Sequence, residues 1–263
     1  MQGRVNFLYG LTYMTDNGRL TWRPGTLVIC HLAAAGLLGS WLWPVSRAWW
    51  DALDRSVFYW LNGTLEMGAF WRDFWTVTNW RPFDLVSGGI IFIFAVYWIW
   101  SGGKKSAREH IAALCLFALL LLLTHIAFSI ALKALEYRRS SPTRVLPDAI
   151  RLAELVKGRI KPKDASSTCF PGDHAFVLAA TSVFLWGHRG WRAGLVSAII
   201  LGLFMVPRLV GGHWITDNLV GTGMMVLVAA SWWFCTPLCC RLPRWIVRSA
   251  NTALSRIGGG LGK

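Results

Sequence analysis

MVPRLVGGHWITDNLVG, residues 205–221, sets an arginine, a histidine and an aspartate at the mouth of an apolar run that continues to Cys235. With helix from Trp214 onward, His213 and Asp217 stand four residues apart, on one face and within side-chain reach. A carboxylate that accepts one ring N–H of an imidazole fixes its tautomer, stabilises the imidazolium and leaves the other nitrogen free to attack. Arg208, five residues upstream, adds a cation able to hold an anion. Taken alone, the same residues also fit a histidine capping a helix and an aspartate facing lipid headgroups. The surrounding chain decides between the two.

That chain is 263 residues long, 54% hydrophobic and rich in tryptophan, with a mean hydropathy of +0.43, too apolar for an ordinary soluble domain. It reads as an all-α polytopic membrane protein. The formal net charge of +14 does not point to nucleic acid, because the basic residues fall between apolar runs and not on one face of a soluble domain. The cysteines form no CxxC pair, and no histidine is spaced to complete a zinc site with Cys235, Cys239 and Cys240, so neither a structural disulfide nor a metal is expected.

Six spans are expected, at 26–43, 82–100, 111–132, 174–187, 193–210 and 214–235, in a single membrane domain. The first is read as retained, since no small-residue cleavage site precedes Pro44. Segment 45–80 mixes Trp and Phe with charges at helical spacing, the pattern of amphipathic helices in the headgroup layer. Its tryptophans are read as membrane anchors, with lipid recognition as the alternative. Asn62-Gly63-Thr64 within it is a formal glycosylation sequon. Residues 133–172 form a long polar loop carrying Lys133, Arg138, Arg139, Arg144, Lys157, Arg159, Lys161 and Lys163.

Six spans put both termini on one side. The basic residues of the termini and short loops, among them Arg4, Arg19, Lys104, Lys105 and Arg108, outnumber those of 44–81 together with Arg208. The positive-inside rule is strongest for short segments, so both termini are expected in the cytoplasm. The basic loop 133–172 then lies outside, against the rule, and a phosphate ligand would account for it. In this topology Lys133 to Arg139, His174, and Arg208 to Asp217 all face the same membrane boundary. Ionisable groups converging there are a functional-site hypothesis.

Arg138, Arg139 and Arg208, with Lys133, can hold a phosphoryl group by forked, charge-assisted hydrogen bonds and neutralise its transition-state charge. Phe170-Pro171-Gly172-Asp173-His174 opens a helix whose free N–H groups and dipole favour the same anion, and Gly172 lets backbone approach closely. His213 then attacks phosphorus and His174 protonates the departing oxygen. No metal or other cofactor is required, because the cations do the work that Mg²⁺ does in kinases.

A basic cluster, then Pro-Gly-x-His, then Arg…His-x-x-x-Asp resembles the type 2 phosphatidic acid phosphatase superfamily, whose core is shared with vanadium-dependent haloperoxidases. These motifs span roughly residues 133–217. The resemblance implies a phosphohistidine at His213, oriented by Asp217, with His174 as general acid and Arg139 and Arg208 on the phosphate. RRSSPT, KDASSTCFPGDHAF and FMVPRLVGGHWITDNLVG are similar, more narrowly, to the bacterial inner-membrane lipid A phosphotransferases. Those enzymes move the distal phosphate of undecaprenyl pyrophosphate onto the 1-phosphate of lipid A. That resemblance implies an inner-membrane enzyme with a periplasmic catalytic loop at 133–172, a polyprenyl pyrophosphate donor, a lipid A acceptor and no nucleic-acid partner.

The superfamily pattern is not matched throughout. Gly172 and Asp173 stand where Ser then Gly is usual, as they do in the narrower family, and an acidic side chain there calls for an arginine partner or a role in orienting His174. Arg208 precedes His213 by one residue fewer than usual, Lys133 is likewise one residue closer to Arg139, and Arg139-Ser140-Ser141-Pro142 replaces Arg-Pro. Against the catalytic assignments stand snorkelling for the arginines, packing for His31 and His125, and an interfacial place for His110 and His188. Three functions follow from different classes: a phosphotransferase, a phosphatase of undecaprenyl pyrophosphate or another lipid phosphate using the same intermediate, and a non-catalytic membrane binding or transport protein.

Overall fold

A computed structural model describes residues 22–101, 107–156, 160–239 and 241–260. The basic positions Arg4, Arg19, Lys104, Lys105, Lys157 and Arg159, and Cys240, lie outside them. The described residues are helical, with no strand beyond an isolated bridge between Trp80 and Pro162.

Helix α1 (Pro24–Leu42) opens on proline, whose missing N–H costs nothing in a first turn. It stops at Trp43 because Pro44 cannot continue it, and the same proline opens α2 (Pro44–Asn62). A 3₁₀ turn (Gly63–Glu66) leads to α3 (Ala69–Thr78), and a second one (Arg81–Phe83) to α4 (Asp84–Ser101). The long α5 (Ala107–Ala134) carries Lys133 in its last turn. The polar loop beyond it holds two single turns, α6 (Pro142–Val145) and α7 (Leu152–Leu155). Helices α8 (Asp173–Arg189) and α9 (Trp191–Leu203) form a hairpin about Gly190, whose φ of 85° suits a residue without Cβ. One more turn, α10 (Val206–Leu209), precedes the last apolar run, which passes through a π-helical turn (Asp217–Thr222) into α11 (Gly223–Cys235). The amphipathic α12 (Arg241–Gly260) packs back on α5.

Among the described residues, four helical stretches are long and apolar enough to cross a membrane: Pro24–Leu42, Arg81–Trp100, Ala107–Ala134 and Asp217–Cys235. Half of the last is buried against 11–22% of the others, so it is the central helix and the rest turn apolar faces outward. The expected fifth span, 193–210, is broken: α9 has 13 residues, short of the roughly 20 a span needs. The break falls just before Pro207, which can open a turn but not extend the helix behind it.

Three apolar clusters hold the elements together. Phe117, Phe176, Phe184, Met225 and Trp233 join α5, α8 and α11. Trp41, Phe170 and Met224 pack α1 and the loop onto the central helix, with the Trp41 and Phe170 rings stacked at 4.8 Å. Leu61, Trp75, Leu152, Leu209 and Val210 join α2, α3, α7 and α10. In this last region the side chain of Asn62, 3% exposed, donates to the carbonyls of Ile150 and Val210 and accepts from the Ile150 N–H, each at 2.9 Å. The sequon there is thus a buried staple and not a glycan acceptor.

Candidate active site

Sequence neighbours Trp214 to Asp217 build one wall. The central helix opens at Ile215, and Asp217 reaches back so that its Oδ2 accepts the Trp214 N–H at 2.9 Å, a cap of the first turn. The same oxygen lies 3.4 Å from Nδ1 of His213, and Asp217 itself is fully buried. That imidazole nitrogen is buried and has no well-aligned hydrogen-bond partner, so the pair is in register but loose. The π turn that begins at Asp217 is a rare geometry that concentrates at functional sites.

The other oxygen of Asp217 is held by Arg139. Nη1 of Arg139 donates to Oδ1 at 2.7 Å, while Nη2 donates to Oδ2 of Asp54 at 2.6 Å. Asp54, on α2, also accepts the Thr216 N–H at 2.9 Å and the Thr216 hydroxyl at 2.7 Å, which satisfies another orphan donor of the helix start. The Arg139 guanidinium lies between the Trp41 and Trp214 rings, 5.4 and 5.2 Å from their centroids. Burial pushes the Asp54 carboxyl up, and Arg139 and Thr216 pull it part of the way back. For Arg139 burial works against the charge, but Asp217 and Asp54 more than offset it and the guanidinium is held above its usual value. Expected as a phosphate ligand, Arg139 has both terminal nitrogens committed to carboxylates and reaches His213 through Asp217.

The facing wall is Arg208 and His174. Both meet Asp84, the first residue of α4: Nη2 of Arg208 donates to Oδ1, and Nε2 of His174 stands 3.2 Å from Oδ2. Arg208 is buried, whereas His174 is half exposed. The charges acting on His174 are Asp84 and Asp173 on one side and Arg208 and Lys163 on the other. Asp84 therefore sits as an internal anion between the arginine expected to grip phosphate and the histidine expected to protonate the leaving oxygen.

Gly172 is placed for packing. Its N–H donates to the Asp217 carbonyl at 3.2 Å and its own carbonyl accepts the Thr222 hydroxyl at 3.0 Å. A Cβ there would come within 2.4 Å of the Asn218 side chain. Its N–H is thus taken by the central helix and not offered to an anion. Asp173 turns to His125 of α5, at 3.5 Å, instead of pairing with an arginine. Arg138 and Lys133 are exposed and make no ion pair among the described residues; Arg138 lines a cleft beside Trp214, and Lys133 joins none of these contacts.

The loop that carries Arg139 is clasped from both ends. The Ser141 N–H donates to the Ser166 carbonyl at 3.0 Å, and the Ser166 N–H returns to Oγ of Ser141 at 2.9 Å. The Thr143 hydroxyl lies 2.6 Å from the Asp164 carbonyl and 3.0 Å from that of Gly211. RRSSPT, KDASST and the Gly211-Gly212 turn before His213 are thereby one unit.

Sequence reasoning missed Asp54 and Asp84. A signal existed for each: Asp54 is in helical phase with buried Phe58, Leu61 and Asn62, and Asp84 is the lone carboxylate of an otherwise apolar span.

The chain is 34% identical over 224 residues to lipid A 1-diphosphate synthase of Escherichia coli K12, covering 82% of this chain and 90% of that one. The chain belongs to the type 2 phosphatidic acid phosphatase superfamily. It is thereby a membrane enzyme of that superfamily, close to the Escherichia coli protein. No family model matches the sequence. A solved structure, a transmembrane type 2 phosphatidylglycerolphosphate phosphatase from Bacillus subtilis, overlays 77% of this chain and 92% of its own at 18% identity and a TM-score of 0.42.

Proposed function

We propose that this enzyme moves the distal phosphate of undecaprenyl pyrophosphate onto the 1-phosphate of lipid A, through a phosphohistidine at His213. The reading rests on the buried Asp217 carboxylate 3.4 Å from Nδ1 of His213, which leaves Nε2 as the attacking atom. Likeness to lipid A 1-diphosphate synthase supports the choice of substrates.

Arg208 leaves Asp84 to grip the distal phosphate. Nε2 of His213 attacks phosphorus, the bond to the bridging oxygen breaks, and His174 delivers a proton to the departing lipid phosphate. An oxygen of the acceptor phosphate, passing its proton to His174, then attacks the same phosphorus, the P–N bond breaks, and His213 returns to its neutral form. Arg139 holds Asp217 in place throughout, and the chain's own cations carry the phosphoryl charge. We place this chemistry at the periplasmic face of the bacterial inner membrane. The two short helices α8 and α9 and their flanking turns complete six crossings in a single membrane domain, α2 and α3 lie at the interface, loop 133–172 is periplasmic, and both termini are cytoplasmic.

The test uses purified protein in lipid micelles and donor labelled in its distal phosphate, with lipid A present or absent. Label on lipid A, abolished by His213→Ala, is the expected result. Label appearing only as free phosphate would replace the transferase with a phosphatase using the same intermediate.

A further inference from the structure

A cavity of about 460 Å³, in the size range of small-molecule sites, opens between α2 and the loop after α5. Arg47, Arg55, Arg138, Arg139, Tyr137 and Trp214 line it, with Asp51 and Asp54. His174, Arg208, His213 and Asp84 are not among its lining residues. It is therefore separate from the place between Arg208 and His174, and joined to it by the shared wall of Arg139 and Trp214.

Its charges do not cancel. Arg47 is paired with Asp51 at 2.7 Å, while Arg139 is shared between Asp54 at 2.6 Å and Asp217 at 2.7 Å, so the four arginines of the cavity exceed these three carboxylates by one. Arg55 and Arg138 remain, each exposed and without an ion-pair partner among the described residues. Two guanidinium groups without ion-pair partners, at a concavity with an excess of positive charge, favour an anion that accepts forked hydrogen bonds, and a phosphomonoester carries about −1.5 to −2 at neutral pH. Val145, 57% exposed, and Leu146 supply an apolar edge suited to the chain of a lipid.

We infer that this cavity binds the phosphomonoester headgroup of a lipid, as a second anion site beside the one at Arg208. The assignment deepens the transferase reading, in which donor and acceptor each bring a phosphate, but binding can be measured without turnover.

The experiment uses full-length His213→Ala protein in detergent micelles, titrated calorimetrically with dihexanoyl phosphatidic acid. Binding at a second equivalent is expected, and Arg55→Gln with Arg138→Gln should weaken that equivalent alone by about tenfold or more. Arg208→Gln should weaken the other alone. The Arg55→Lys, Arg138→Lys pair keeps the charge but not the fork, so its affinity should fall between that of the parent and that of the glutamine pair, which separates ligand binding from misfolding. A single equivalent, or a second one indifferent to both glutamine substitutions, would overturn the site. Inorganic phosphate binding there as tightly as the lipid would overturn the lipid headgroup as its ligand. Because the parent does not turn over, these outcomes are independent of whether label reaches lipid A, so the transferase reading can fail while the cavity stands, and the reverse.

Discussion

Asp54 and Asp217 accept hydrogen bonds from the same guanidinium, that of Arg139, from helices at opposite ends of the chain. The three side chains are almost completely withdrawn from solvent, with Arg139 the most accessible at 10%. Asp217 in turn faces His213, so under the proposed mechanism the orientation of the nucleophile depends on a carboxylate on α2 that touches no reacting atom.

Asp54→Ala leaves Arg139 half paired and the Thr216 N–H without its acceptor. Removing one partner of a buried pair costs about 3–5 kcal/mol, so thermal unfolding in detergent should shift well below wild type and turnover should fall with it. Asp54→Asn keeps an oxygen for the Thr216 N–H and should cost less in stability. A wild-type melting curve for the alanine variant would remove Asp54 from the support of the site.

The parts of the molecule visible in the sequence are those set by neighbours. Apolar runs gave the long helices, and the His213–Asp217 spacing depends on one helical turn. Asp54 and Asp84 carry only weak sequence signals because their partners, Thr216 and Arg208, lie far along the chain, and a carboxylate in an aromatic amphipathic segment looks like the wet face of that helix. The broken helix at 204–205 was overlooked for a related reason: hydropathy averages across Pro207, whereas the backbone cannot. Arg139 was recognised as part of the site, but composition cannot tell a cation facing a ligand from one enclosed by two aspartates.

Asp217→Asn keeps the shape of the cap on the Trp214 N–H but weakens the hold on the His213 imidazolium. Turnover should drop by about 10²–10⁴-fold, with donor affinity changed far less, because Arg208, the proposed phosphate ligand, is untouched. Single-turnover labelling of the protein by donor, compared with equilibrium donor binding, separates the two effects. Unchanged turnover would end the role given to Asp217.

Gly211→Ala tests the clasp that sets the loop against His213. The added methyl would meet the Asp164 carbonyl oxygen at 2.8 Å and the Thr143 methyl at 2.9 Å, and the first of these is backbone with little room to give. Overpacking of this kind costs about 1–3 kcal/mol. Thr143→Val, which removes the hydroxyl between the Asp164 and Gly211 carbonyls, should destabilise by a similar amount. If both variants melt as wild type does, the contacts among these three stretches do not secure the loop.

Asp84 meets both Arg208 and His174, so under the proposed mechanism its charge competes with the donor phosphate while it holds both groups at the site. Asp84→Asn should separate these effects. With the competing charge gone, Arg208 meets the donor phosphate more freely and donor KM should fall, by about tenfold if a full charge-assisted contact is released. At the same time His174 loses the carboxylate beside Nε2, so its imidazolium is less favoured and kcat should fall, most steeply at the alkaline side of the pH profile. Opposite movement of KM and kcat is the signature, since a purely structural lesion lowers turnover without tightening binding. A variant whose KM rises would show instead that Asp84 holds Arg208 in its productive position and does not compete for it.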